Sequence, residues 1–247
     1  MGLLESLLLE TLRAGLGRAP ILSFVGAGGK TSTIFRLAEE AGDRGWSVLV
    51  TTTTHMWDPR SEKGRHFDRL FLSSSLPPPA PGLTILGSRV EAGSGKLVGL
   101  EPRDLDGFTY TGYGLVLVEA DGSRGLPVKA PASHEPAIPV SSDLVLGLIG
   151  LDCLGSPASA ATVHRLEAFL ALSGAHEGEP ISPGHLARLV ASPEGLFRNS
   201  PEAARRVLIL NKADLVPEAG ALGLKAHIEA GAAADARVSD VLIASNR

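Results

Sequence analysis

ILSFVGAGGKTS, residues 21–32, decides the fold. The apolar run Ile21 to Val25 reads as a short buried strand, and glycines follow at 26, 28 and 29. Lys30-Thr31-Ser32 then opens a stretch with helical spacing through Ile34, Leu37 and Ala38, stopping near Gly42 and Gly45. SVLVTTTT, residues 47–54, is β-branched and bounded by His55 and Pro59, the pattern of a second strand. Strand, glycine loop, helix, strand is the βαβ order of a parallel sheet.

Upstream, MGLLESLLLETLRAGLG places leucines at 4, 8, 12 and 16, with 3 and 7 beside them, which predicts one amphipathic helix docked on the core. Glu5, Glu10 and Arg13 interrupt it and no positive charge precedes it, so it does not read as a signal peptide. Downstream, 67–106 holds short strand-like pieces, RLFLS and LTILG, divided by SSSLPPPAPG and by the turn AGSGK. It reads as a small strand-rich insertion or edge elaboration within a single domain, 1–247. The parallel pattern returns in GLVLVEADG, DLVLGLIGLD, VLILNKADL and VSDVLIAS. Helices are predicted over 163–172 and after Ser182, a cap followed by Pro183. Together these predict a three-layer α/β, P-loop NTPase-like fold with a mostly parallel sheet and ligands at the carboxyl ends of its strands.

The composition narrows the function classes. Of 247 residues only 4% are aromatic and the net charge is -4, which supplies neither stacking platforms nor a phosphate-binding field for nucleic acid. A single cysteine, Cys153, forms neither an intrachain disulfide nor a cysteine zinc cluster, and in its apolar segment it reads as buried. The longest apolar run, Leu144 to Leu151, falls well short of the roughly 20 residues of a membrane span, so a cytoplasmic protein is expected. A homodimer is left open.

Gly26-Ala27-Gly28-Gly29-Lys30-Thr31-Ser32 suits phosphate: backbone amides and a helix N-terminus face the anion, Lys30 reaches the outer phosphates, and the Thr31 hydroxyl ligates Mg²⁺. Phe24 stands where the longer form of this loop has its first glycine, so the match is to the shortened GxxGK[ST] form of Mur-type ligases. GSGK at 93–96 looks similar, but Leu97 replaces the hydroxyl and no helix follows; it reads as a hairpin turn. Glu119 and Asp121, at the end of LVLV, are candidates for Mg²⁺ and the attacking group.

Asn211-Lys212-Ala213-Asp214 suits guanine: Asp214 accepts from the base, the Lys212 stem covers the ring and Asn211 braces the loop. Glycine loop, acidic strand end and NKxD follow in the chain order of G-domain proteins. Ser245 is a weaker base-pocket candidate. Thr54 and His55 would reach the phosphate rim from the second strand, and Arg124, Lys129, His134 and Glu135 sit in a Gly/Pro-rich loop able to order around a phosphate or substrate. Of these, Arg124, His55 and His134 join Lys30, Glu119 and Asp121 as catalytic candidates. His164-Arg165 reads as packing on a helix.

FVGAGGKTS, VTTTTHM, VEADGSRGLPVKAPASHEPAIP, GLIGLDCLG, VHR and LNKAD occur in the order that YqeC-type proteins show, and the chain resembles that family over nearly its whole length. The resemblance implies a role as accessory factor for a selenium-dependent molybdenum hydroxylase, whose maturation factors would be its partners. More distantly, Glu119-Ala120-Asp121-Gly122 is similar to the acidic motif of metallochaperone GTPases, although the chain has no cysteine-containing delivery motif and has Val25 where a dimerising subgroup carries lysine. The leading expectation is a Mg²⁺-dependent nucleotide hydrolase or transferase that prefers GTP over ATP. The alternatives are a non-hydrolysing carrier of a nucleotide or molybdopterin dinucleotide, and a Mur-like ATP-dependent ligase.

Overall fold

The computed structural model describes residues 2–7, 9–61, 66–232 and 238–245. The chain forms two compact units. One comprises Met1–Phe24, Thr31–Asp121 and Ala137–Leu144, the other Val25–Lys30, Gly122–Pro136 and Val145–Arg247.

The first unit opens with α1 (Leu3–Ser6) and α2 (Leu9–Leu16), two short helices where the leucine spacing predicts one. Leu3 and Leu7 are buried, while Leu12 and Leu16 are half-buried. The side chains of Leu4 and Leu8 lie outside the described residues.

Next come β1 (Ile21–Gly26), α3 (Lys30–Gly42), β2 (Ser47–Thr52), β3 (His55–Trp57), β4 (Arg69–Leu72), β5 (Gly82–Gly87), β6 (Arg89–Val90), β7 (Lys96–Val98), α4 (Pro102–Asp106) and β8 (Leu115–Glu119). Five strands lie in the order β1-β8-β2-β5-β4, all parallel. Every residue of β1 and β8 is buried, as expected for parallel strands covered on both faces, and this is why they read as uninterrupted apolar runs. Their register sets Phe24 and Thr52 on either side of Glu119.

The 67–106 segment supplies β4 and β5 to the parallel strands, and β6 and β7 to a small antiparallel sheet, β3-β7-β6. GSGK is the hairpin turn between β6 and β7, with Gly93 and Gly95 in the left-handed region. Tyr110 and Tyr113 are core residues here, and their hydroxyls donate to the carbonyls of Leu105 and Pro77.

The second unit adds β9 (Val128–Lys129), β10 (Leu144–Gly150), β11 (Val163–His164), α5 (Leu166–Ser173), α6 (Pro183–Ala191), β12 (Arg205–Asn211), α7 (Glu218–His227) and β13 (Val238–Ile243). Its strands run in the order β13-β12-β10, with β12 and β13 parallel, and β9 pairs with β11 as a separate short parallel ladder. Val163 and His164 are therefore strand, where a helix over 163–172 is expected. Arg165, at φ 64°, turns the chain so that the helix starts only at Leu166. The predicted cap on α6 forms fully: Ser182 Oγ accepts from the His185 amide while His185 Nδ1 accepts from the Ser182 amide.

Parallel strands alternating with helices make this an α/β protein of the P-loop NTPase-like class, with a mostly parallel sheet and a small antiparallel one. No helix among the described residues is long and apolar enough to cross a membrane.

Candidate functional site

In the second unit the glycine loop is held by its neighbours. Gly26, Gly28 and Gly29 all have positive φ, at 89°, 85° and 115°. The Ala27 amide donates to Leu148 O at 3.0 Å and the Gly28 amide to Leu126 O at 3.1 Å. A Cβ on Gly28 would stand 2.2 Å from the Gly150 nitrogen and 2.8 Å from Pro127 O, so only glycine fits there. The amides of Ala27 and Gly28, expected to face phosphate, are instead held by these two carbonyls and shape the loop. Lys30 is buried and folds back so that Nζ donates to Gly26 O at 2.6 Å.

NKAD meets this loop directly. Asn211, buried at the end of β12, donates from Nδ2 to Gly28 O at 2.7 Å, joining motifs 183 residues apart. Its Oδ1 is buried with no hydrogen-bond donor among the described residues. A buried acceptor left so costs about 1–3 kcal/mol, which a base amine or a water would relieve.

At φ 61° Lys212 turns its ammonium to Asp152 Oδ2, 2.7 Å away, so the ion pair fixes where its stem runs. Asp214 is exposed; its amide donates to Ser245 Oγ at 3.1 Å while Ala213 N donates to Ala244 O, so Ser245 braces the NKAD turn. Asp152 was not singled out from sequence. It comes two residues after a fully buried strand, much as Glu119 closes one, and that similar pattern was the available signal.

Arg124 and His134 are both exposed, in the loop that follows Asp121. Deeper in the same loop, Lys129 Nζ donates to Gly122 O and pairs with Glu135 Oε2, both at 2.7 Å, and Arg165 pairs with Glu135 Oε1 at 2.8 Å. Burial alone would raise the Glu135 pKa, but hydrogen bonds and charge from Lys129 and Arg165 outweigh it and hold the carboxyl below its usual range. Arg165 is thus a member of an ion network and not a helix-packing residue. Cys153 is fully buried, as its apolar segment predicts, and burial, followed by the charge of Asp152, pushes its thiol up to about 12.

In the first unit, Thr31 Oγ1 donates to Glu119 Oε2 at 3.0 Å. Thr52 Oγ1 donates to Glu119 O at 2.7 Å and accepts from the Thr54 amide, which puts the TTTT strand end beside the acidic one. Asp121 is buried just past β8. Ser32 lies in the first turn of α3, half-buried. His55 turns away to the small antiparallel sheet, where Nε2 is 3.8 Å from Glu91 Oε1.

Among the described residues no group of three or more His, Cys, Asp or Glu could hold a metal by itself. Mg²⁺ asks for less: one or two protein oxygens, completed by phosphates and water. The Thr31 hydroxyl and the Glu119 carboxylate are a hard-oxygen pair of that kind.

A family model described as YqeC protein matches residues 22–167. Over 200 residues the chain is 39% identical to "Uncharacterized protein YqeC" of Escherichia coli (strain K12), covering 79% of this chain and 77% of that protein. No solved structure matches. The matched span contains the glycine loop, the Glu119 strand end and the loop and turn that bring Lys129, Glu135 and Arg165 together, and the chain belongs to the YqeC family.

Proposed function

We propose that this protein binds GTP with Mg²⁺ and hydrolyses or transfers its outer phosphate, as an accessory factor in maturing a selenium-dependent molybdenum hydroxylase. The observation that carries the nucleotide reading is the bond from Asn211 to Gly28 O, which couples a base-type motif to a phosphate-type loop. In this reading Lys30 leaves Gly26 O to neutralise charge on the outer phosphate, and Asp214 accepts from the base N1 and exocyclic amine. Adenine lacks that pair of donors, so a site built around Asp214 discriminates against ATP. Thr31 and Glu119 would hold Mg²⁺, which when bound neutralises the phosphate oxygens. Asp121, next along from the strand end, is the candidate to orient the attacking group. The maturation role draws on the family resemblance.

Thermal shifts with GTP and ATP, each with and without Mg²⁺, test the nucleotide half. The expected result is a shift largest for GTP with Mg²⁺, absent in Lys30→Ala, and reduced for GTP but not ATP in Asp214→Ala. Unchanged GTP affinity in Lys30→Ala would sink the reading. For the maturation half, a strain lacking the protein should accumulate inactive molybdenum hydroxylase, and full activity in that strain overturns it.

A further inference from the structure

The geometry points to a second anion site within the second unit, in which Arg124, His164 and Arg165 bind a phosphate-like tetrahedral oxyanion. None of these residues belongs to the glycine loop or to NKAD.

The placement starts from the short parallel ladder, where Lys129 of β9 is in register with His164 of β11. Glu135 is engaged at both oxygens, by Lys129 on one and Arg165 on the other. The Arg165 guanidinium therefore has one arm on Glu135, but its Nε is buried with no hydrogen-bond acceptor among the described residues. A guanidinium presents donors along two edges in a fixed fork, and an unsatisfied buried donor on a charged group is costly. An oxyanion oxygen would satisfy it.

The charge around His164 agrees. Burial first, then Lys129, Arg165 and Arg124, push its pKa down to about 4, against the one carboxylate of Glu135 that acts to raise it. Three cations and one carboxylate thus act on a half-buried imidazole, leaving local positive potential without a matching counter-charge in this set. Neutral His164 can donate one ring N–H to an anion, and it can take a proton once the anion has offset the cations.

Backbone strain coincides with this cluster. Arg124 at φ 52° and Arg165 at φ 64° are two of four non-glycine residues with positive φ in the described chain. Such residues cost about 1–3 kcal/mol and persist where the surroundings over-determine them, often at ligand clamps. Arg165 also precedes α5, whose N-terminus has no side-chain cap, so the positive end of that helix adds to the same field. A tetrahedral oxyanion, with several acceptor oxygens, matches two forked guanidiniums and an imidazole better than a single-point anion does.

Sulfate is the probe, because it keeps its charge across the working pH range and carries no base. Calorimetry would give its affinity, and imidazole NMR would follow His164. The expected result is saturable binding that moves the His164 resonance, raises its pKa by about two units, and is several-fold tighter near pH 5.5 than near pH 7. Arg124→Gly, which removes an exposed side chain and relaxes its backbone, should weaken binding about tenfold or more with the fold intact. Lys30→Ala should leave the sulfate-dependent shift of the His164 resonance in place, even where it removes a separate sulfate site at the glycine loop. No displacement of His164 by sulfate, or equal binding in Arg124→Gly, overturns the proposal. If the shift of His164 by sulfate disappears in Lys30→Ala instead, the anion is held by the glycine loop and the proposal also fails. GTP serves as a further arm: movement of His164 by GTP alone, lost in Lys30→Ala, would assign the phosphoryl group to the nucleotide and exclude an independent site. Failure of GTP binding with sulfate binding retained would reject only the nucleotide reading.

Discussion

Gly28 and Gly125 share a left-handed backbone, at φ 85° and 75°, but not their surroundings. Gly125→Ala meets open space and carries only the backbone penalty, about 1 kcal/mol. Gly28→Ala adds a Cβ against the backbone of Gly150 and Pro127, so it should destabilise by several times as much and abolish nucleotide binding. Thermal melts of the two variants decide the matter, and equal losses would mean the loop is not clamped as described. Asn211→Ala leaves Gly28 O without its side-chain donor and should cost about 1–3 kcal/mol, together with a loss of GTP affinity larger than that of Asp214→Ala. Calorimetry on both variants checks the order. Cys153, buried and with its thiol at about 12, should resist a thiol reagent in the native protein and react only on unfolding; rapid labelling of the native chain would show that the burial is wrong.

At the scale of elements, Ser182→Ala should destabilise by about 1 kcal/mol, because α6 loses a side-chain acceptor at its first turn while His185 loses its reciprocal geometry. Urea unfolding reads this directly, and a neutral result would mean that Pro183 alone starts the helix. This helix was legible from sequence because Ser-Pro has a local mechanism. The parallel strands were legible because β1, β8 and β10 are buried at every position, which leaves uninterrupted apolar runs. The two misread elements fail for tertiary reasons. The N-terminal leucines satisfy helical spacing and Leu3 and Leu7 are buried as that spacing predicts, yet α1 ends at Ser6 and a second helix takes over. Val163-His164 has no strand-length pattern of its own and becomes extended only because Val128-Lys129 pairs with it.

At the scale of the whole molecule, the candidate sites divide in the same way. The glycine loop, the Glu119 strand end and NKAD were legible because each is a contiguous motif with its own chemistry. Asp152, His164 and Arg165 act through partners remote in sequence or on other elements, and single-chain reading leaves them as ordinary polar residues, while Glu135 was placed in a candidate loop without its partner Arg165. These hidden groups govern how stability depends on acid. Below about pH 6.5 the unfolded chain protonates His164, whereas the native chain resists until about 4, so acidification across that window favours unfolding. Glu135 acts lower: its native pKa lies under the unfolded value of 4.5, so its contribution is present above that value and is lost as pH falls through the native pKa. Urea midpoints should therefore fall in two stages. His164→Gln should flatten the upper stage and spare the lower. Glu135→Gln should lower stability near neutral pH by about 3–5 kcal/mol, because it breaks a buried ion pair from one side, and this difference should shrink as the wild-type carboxyl is protonated in acid. If His164→Gln keeps the slope between pH 6.5 and 5, the imidazole is not held neutral by its neighbours, and the positive field invoked for the oxyanion falls with it.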